Sequence, residues 1–226
     1  MELPPVREVA PGIILAMAED QICGSWMLVN GKSCFVVETP PKADDGDTVP
    51  ADLVGNYLKD HDLTPVGLTE THHHWDHTQG VDRYWDMLAD YPTFPWICHK
   101  SFLDAAKNYT LYFDTIFREE IYETSIGGEP LYLIHAPKHC VSDVMIVYRG
   151  TMITGDWWLG TGDPNWNHVP PEVSIASVDR ILNFLQGKHY DVHRLFSVHA
   201  NDFRYGVNTT NVLLETRHYH ESKLGR

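Results

Sequence analysis

The sequence predicts a layered α/β fold, and two observations carry that expectation. Short apolar runs alternate along the chain with segments of helical spacing. The residues best suited to hold a metal each follow an apolar run: a cluster at 72–77, then His139, Asp156 and His199. Loops at strand ends can bring distant sequence positions to one edge of such a fold, so this placement would gather them. With 226 residues the chain can bury a sizeable core, and a single domain over 1–226 is expected.

Taken in order, Ile13 to Ala18, Trp26 to Val29 and Ser33 to Val37 read as short strands. The last two are joined at Asn30-Gly31, a hairpin signal because both residues tolerate positive φ. Gly31-Lys32-Ser33 is not the end of a phosphate loop, since Trp26 stands where the upstream glycine is required. Pro50 to His61 has helical spacing in Leu53, Val54, Tyr57 and Leu58. Val66 and Leu68 mark a buried strand, and Gly80 to Tyr91 a helix. Trp96 to His99 is a strand, and Ser101 is suited to cap a helix over Phe102 to Ala106. The aromatic stretch Asn108 to Thr124 reads as an amphipathic helix laid over the core.

Leu131 to His135 is a strand, and Met145 to Tyr148 with Met152 to Thr154 form a hairpin around Arg149-Gly150. Trp157 to Pro171, broken by Gly160, Gly162, Pro164 and Pro170, is a loop; Trp157, Trp158 and Trp166 make it a candidate pocket wall. Ser174 to Leu185 is an amphipathic helix, and Leu195 to Val198 the last buried strand. Asn208 caps a terminal helix, near whose end His218 and His220 are expected on a solvated face.

Composition narrows the partners. A formal net charge of -14 repels phosphate backbones and anionic lipid, which argues against nucleic acid and membrane surfaces and leaves a small molecule. The four cysteines, at 23, 34, 98 and 140, have no Cys-x-x-Cys spacing and read as reduced thiols of a cytoplasmic protein. The polar, proline-broken start does not read as a signal peptide, and no apolar run approaches a membrane span.

The stretch Thr71-His72-His73-His74-Trp75-Asp76-His77 packs four histidines and a carboxylate into seven residues. In an extended run alternate side chains point the same way, so His72 and His74 can converge, with His73 turned away. Asp76 and His77 follow on a turn. Neutral imidazole and carboxylate suit zinc, iron or manganese. Read as His-x-His-x-Asp-His, the stretch resembles the signature of the metallo-β-lactamase fold superfamily, and its wording is most similar to that of glyoxalase II. Further motifs extend the resemblance: Pro137-Lys138-His139-Cys140, Thr154-Gly155-Asp156, and His199 after a buried strand. The chain departs from the family at Glu38 and Pro40, where Asp and Gly of an Asp-Thr-Gly turn are usual. It departs again at Lys138 and Val198, each in place of Gly, and at Cys140, where Thr is common.

The resemblance implies a four-layer αββα sandwich and two divalent metal ions, zinc first, with iron and manganese as the other candidates. It assigns His72, His74 and His139 to one ion and Asp76, His77 and His199 to the second, with Asp156 between them and Asp76 also catalytic. Two metals sharing a carboxylate would hold a water and lower its pKa, making hydroxide available near neutral pH. The expected activity is hydrolysis of a small acyl substrate, a thioester or ester, with Trp157, Trp158 and Lys138 as candidate substrate contacts. The chain runs 27 residues past His199, short of the helical region that binds glutathione in glyoxalase II, so glutathione thioesters are not expected. Two other readings stay open on the same residues. One is a mononuclear iron oxygenase of the persulfide dioxygenase type, on the equivalents of His72, His139 and Asp156; the other is a non-catalytic binding protein.

Overall fold

The computed structural model describes residues 4–17, 21–42, 49–159, 169–199 and 203–225. The chain divides into two compact units, Met1–Phe117 with Thr124–Pro130, and Arg118–Glu123 with Leu131–Arg226.

The first unit holds a seven-stranded sheet whose spatial order follows the chain: β1 (Val6–Ala10), β2 (Ile13–Ala16), β3 (Ser25–Asn30), β4 (Ser33–Val37), β5 (Thr64–Thr69), β6 (Trp96–His99) and β7 (Thr115–Phe117). The first four strands pair antiparallel and the remainder parallel. Parallel neighbours need crossovers. These are supplied by α1 (Pro50–Asp60), by α2 (Trp75–Thr78) with α3 (Val81–Leu88), and by α4 (Lys100–Ala105). Val54 and Leu58 of α1, Tyr84 and Leu88 of α3 and Phe102 of α4 pack with Ile14, Met27, Val36 and Leu68 of the sheet. The alternate residues Ile13, Leu15, Trp26, Leu28, Phe35 and Val37 are at most 1% exposed, so these strands are buried on both faces and read as continuous apolar runs. Gly67 is required by this packing, since a Cβ there would stand 2.2 Å from the Phe35 ring.

The β3–β4 turn falls one residue later than the Asn-Gly signal suggests. Asn30 pairs with Ser33, and Gly31, at φ 59°, opens the two-residue loop. The Asn30 amide is thereby released to donate to the carbonyls of Ile126 (3.0 Å) and Gly127 (3.2 Å). Helix α4 is capped by the His99 ring, which accepts from the Ser101 N–H at 3.2 Å, rather than by Ser101 itself. The helix expected over 108–124 does not form: a 3-10 turn at Lys107–Tyr109 is followed by β7 and by β8 (Ile121–Ile126). Its β-branched and aromatic residues favour a pleated surface, and the aromatic spacing that imitated a helix serves the core instead. Phe113 is buried there, with Tyr109 and Tyr112 packed against the same cluster.

The second sheet has the order β13-β12-β11-β10-β9-β8, with β9 (Glu129–His135), β10 (Val144–Tyr148), β11 (Thr151–Ile153), β12 (Arg194–Phe196) and β13 (Phe203–Tyr205). At the β10–β11 turn Arg149 and Gly150 both take left-handed φ, 46° and 66°, as the tight hairpin demands. The single parallel pair, β11 with β12, is bridged by α5 (Pro171–Lys188). Val178, Ile181 and Phe184 of α5 and Leu213 of α6 (Thr209–Lys223) cover Ile134, Met145, Val147 and Leu195. Asn208 caps α6 as expected, accepting from Asn211 N–H at 3.1 Å. Among the described residues no helix is long and apolar enough to cross a membrane.

His218 is exposed, but His220 on α6 is buried, against expectation. Burial, reinforced by the charges of Lys138 and Lys223, pushes its pKa down to about 4 from 6.5. The unfolded chain therefore binds the extra proton between these values. The contribution of His220 to stability is complete above pH 6.5 and is lost as pH falls towards 4. Denaturant unfolding at about pH 7 and pH 5 is expected to show the parent chain losing stability over that step and His220→Gln losing less of it. Equal losses would remove His220 as the cause.

Candidate metal centre

In the first unit the histidine-rich stretch leaves the end of β5. His72 and His77 are buried, and His74 and Asp76 are half-buried. The His72 ring lies 4.6 Å from that of His74 and 3.9 Å from that of His77, centroid to centroid. Donor atoms of His72 and His74 come within 4.8 Å of each other, as the alternation of an extended run predicts. His74 is the N-cap of the single-turn α2, which carries Asp76 and His77 round so that Asp76 Oδ2 lies 3.5 Å from His77 Nε2.

Two buried carboxylates stand behind these rings. Glu38 follows β4 with φ at 74°, a strained value for a residue with a side chain. Its Oε1 accepts from the Thr71 N–H (2.9 Å) and from the Thr71 hydroxyl, and its Oε2 lies 3.4 Å from His77 Nδ1. Because the Thr71 hydroxyl hydrogen goes to Glu38, Thr71 Oγ1 is left to accept from His72 Nδ1, 3.1 Å away. Glu38 thus braces the back edge of His72 through Thr71 and faces the back edge of His77. Glu70 accepts from the Thr39 N–H at 3.2 Å and from the Thr39 hydroxyl. Burial and the neighbouring Glu38 hold the Glu70 carboxyl well above the usual carboxylate range. Gly80 N–H donates to the Thr39 carbonyl at 2.9 Å, and a Cβ on Gly80 would stand 2.2 Å from the Pro40 carbonyl oxygen. The chain leaving α2 is thereby clamped to the end of β4.

The second unit carries three further candidate ligands. His139 follows β9 in a loop shaped by Asp143, whose Oδ2 accepts from the N–H groups of Lys138 (2.8 Å), His139 (2.6 Å) and Cys140 (3.0 Å). Burial pushes Asp143 up to about 6, against those donors. Cys140 is buried beside Asp143, and desolvation raises its pKa far above the ordinary thiol value, the signature of an inert thiol. Asp156 follows β11. Its Oδ2 lies 3.7 Å from His139 Nε2 and its Oδ1 3.0 Å from His199 Nε2, so each oxygen faces one histidine.

The substrate-contact candidates lie in the interior. Trp157 and Trp158 are buried in the core cluster of this unit. Lys138 is buried too, its Nζ donating to the Trp157 carbonyl and sitting 4.8 Å from the Trp157 ring centroid. Gly160, Gly162, Pro164, Trp166 and His168 lie outside the described residues. Sequence reasoning missed Glu70, Asp143 and Cys23. Glu70 and Asp143 sit beside the quoted motifs, where an acid in an apolar setting is a detectable sign. Cys23 lies 53 residues before Asp76 and carries no local signal.

The donor chemistry of both units, neutral imidazole nitrogens with carboxylate oxygens, fits divalent metals. Two mixed sheets, each flanked by helices and ending in loops that carry these donors, define a protein of the metallo-β-lactamase fold. The likeness to the solved DIM-1 metallo-β-lactamase has a TM-score of 0.70 at 14% identity, covering 99% of this chain and 100% of that one. No family model matches the sequence. Among curated proteins, the chain is 28% identical over 174 residues to the atrochrysone carboxyl ACP thioesterase nsrC of Aspergillus novofumigatus, covering 74% of this chain and 50% of that protein. It is 26% identical over 166 residues to a hydroxyacylglutathione hydrolase of Prochlorococcus marinus, covering 70% and 59%. The chain spans about half the length of the first of the curated relatives that it matches.

Replacing Glu38 tests the backing. Glu38→Gln keeps an acceptor for Thr71 but removes the charge facing His77, and is expected to weaken metal binding by about 10–100-fold. Equilibrium dialysis against zinc gives the measurement; an unchanged affinity would assign Glu38 to packing alone.

Proposed function

We propose that the chain is a metal-dependent hydrolase of a small acyl substrate, a thioester or ester. In this reading His72, His74 and His139 hold one divalent ion and Asp76, His77 and His199 the other, with Asp156 shared. The observation that carries it is the posture of Asp156, whose two oxygens each face a different histidine, as a bridging carboxylate would require. Bound metals would supply Lewis acidity and lower the pKa of a water molecule. The chain's own residues do the rest. Thr71, itself bound to Glu38, would hold the back edge of the His72 ring, while Glu38 faces that of His77. Asp143 holds the loop that presents His139. Asp76 would orient the attacking water as well as ligate. Lys138, Trp157 and Trp158 enter as the packed wall behind Asp156 rather than as a solvent-facing surface.

The thioester preference is supported by the names of two relatives, an ACP thioesterase and a hydroxyacylglutathione hydrolase. The negative charge of the chain disfavours nucleic-acid substrates. Zinc is the proposed ion on donor chemistry.

Three measurements test the reading. Metal analysis of the purified protein is expected to find two zinc ions per chain; one iron would point to oxygen chemistry instead. Chelation is expected to abolish activity while circular dichroism keeps its secondary-structure signal, because the core is large enough to fold by burial. Asp156→Ala is expected to lose one of the two ions and at least about 100-fold in kcat on a thioester panel. Two retained ions at near-normal rate would refute the shared role of Asp156.

A further inference from the structure

Cys23 lies between β2 and β3 and is 3% exposed. Its Sγ is 3.6 Å from Asp76 Oδ2 and 3.6 Å from His77 Nε2, and those two atoms are 3.5 Å from each other. All three residues belong to the first unit. We infer that the Cys23 sulfur is a ligand, with Asp76 and His77, of a zinc ion; this rests on the metal-dependent reading above and extends it to a donor outside the assigned set.

Geometry supports the assignment. Tetrahedral zinc, with bonds of about 2.0–2.2 Å to nitrogen and oxygen and about 2.3 Å to sulfur, separates its ligand atoms by about 3.3–3.6 Å. The three observed edges lie at the upper end of that range, and the two longer ones are those that involve sulfur. An octahedral ion, with right angles and bonds of about 2.1 Å, would bring its neighbouring ligand atoms to about 3.0 Å. With His77 Nδ1 facing Glu38, its Nε2 offers a lone pair to the same space as the carboxylate oxygen and the sulfur. A tetrahedral cation seated just out of the plane of this triangle binds all three atoms at once. The sulfur also bears on which metal binds: a thiolate favours zinc over manganese or magnesium, which a set of imidazoles and carboxylates alone does not.

Cobalt(II) loading of the apoprotein provides the test, read by absorption rather than turnover. The parent chain is expected to show visible d–d bands together with a near-ultraviolet thiolate-to-cobalt charge-transfer band. Cys23→Ser is expected to keep the d–d bands and lose the charge-transfer band, and Cys140→Ser to keep both. Dialysis is expected to find one zinc ion weakened in Cys23→Ser by more than the roughly 10–100-fold that follows loss of an outer-sphere partner. A measurement needing no variant is X-ray absorption of the zinc-loaded parent chain, where a sulfur neighbour at about 2.3 Å is expected. Cobalt bound with d–d bands but no sulfur band would overturn the assignment of Cys23 and leave the metal-dependent reading intact. A sulfur band that survives Cys23→Ser and vanishes in Cys140→Ser would also overturn it. Failure to bind cobalt or zinc at all would bring down both.

Discussion

Burying a carboxylate is expensive unless donors or opposite charge compensate, and in this chain the cost is met where candidate metal ligands must be held still. Glu38 sits at the end of β4 with no exposed surface, and its oxygens are taken up by Thr71 and faced by His77. Beside it Glu70, also buried, has its pKa raised by burial and by Glu38, and closes onto Thr39. The pair ties the ends of two adjacent parallel strands together, and the imidazoles are held from that joint. The φ of 74° at Glu38 belongs to the same arrangement, since a strained backbone persists only where its surroundings over-determine it.

The second unit solves the same problem in another way. The loop bearing His139 has no sheet partner of its own, and a buried acid, Asp143, gathers three successive N–H groups around one oxygen. Ser177 of α5 then donates to the Pro137 carbonyl at 2.8 Å and fastens the loop to a helix. Asp156 and His199 arise from the ends of β11 and β12, the parallel pair, where Thr154 N–H donates to the Phe196 carbonyl at 2.9 Å. Rigid elements thus place each donor, and the loops only turn it.

The positions at which the chain departs from the motifs it resembles become intelligible in this frame. Lys138, in the place of a glycine, is absorbed by the carbonyl and ring of Trp157. Cys140, in the place of a threonine, is a buried neighbour of Asp143 and Ser142. Val198, in the place of another glycine, is fully buried just before His199. Cys23, outside those motifs, would add a soft donor to a set otherwise made of nitrogen and oxygen. Its sulfur lies 3.6 Å from both Asp76 Oδ2 and His77 Nε2, the contacts on which that proposal rests.

What the sequence determined by itself was whatever rests on local spacing. The alternation of His72 and His74, the short step to Asp76 and His77, the β10–β11 turn and the Asn208 cap are each written within a few residues, and periodicity or turn chemistry reads them directly. The α/β class followed from apolar runs alternating with helical spacing. Where local pattern had two physical readings, the sequence chose wrongly: the aromatic spacing over 108–124 suits a helix, and the packing of Phe113 and the strands β7 and β8 decided otherwise. His220 looked solvated for the same reason, since only the position of α6 over the second sheet reveals its burial. Tertiary structure alone decided that Glu38 backs His77, that Asp143 organises the loop of His139, and that Cys23 meets Asp76. These contacts join residues whose nearness depends on the course of the folded backbone, and no spacing rule along a chain encodes a distance closed in space.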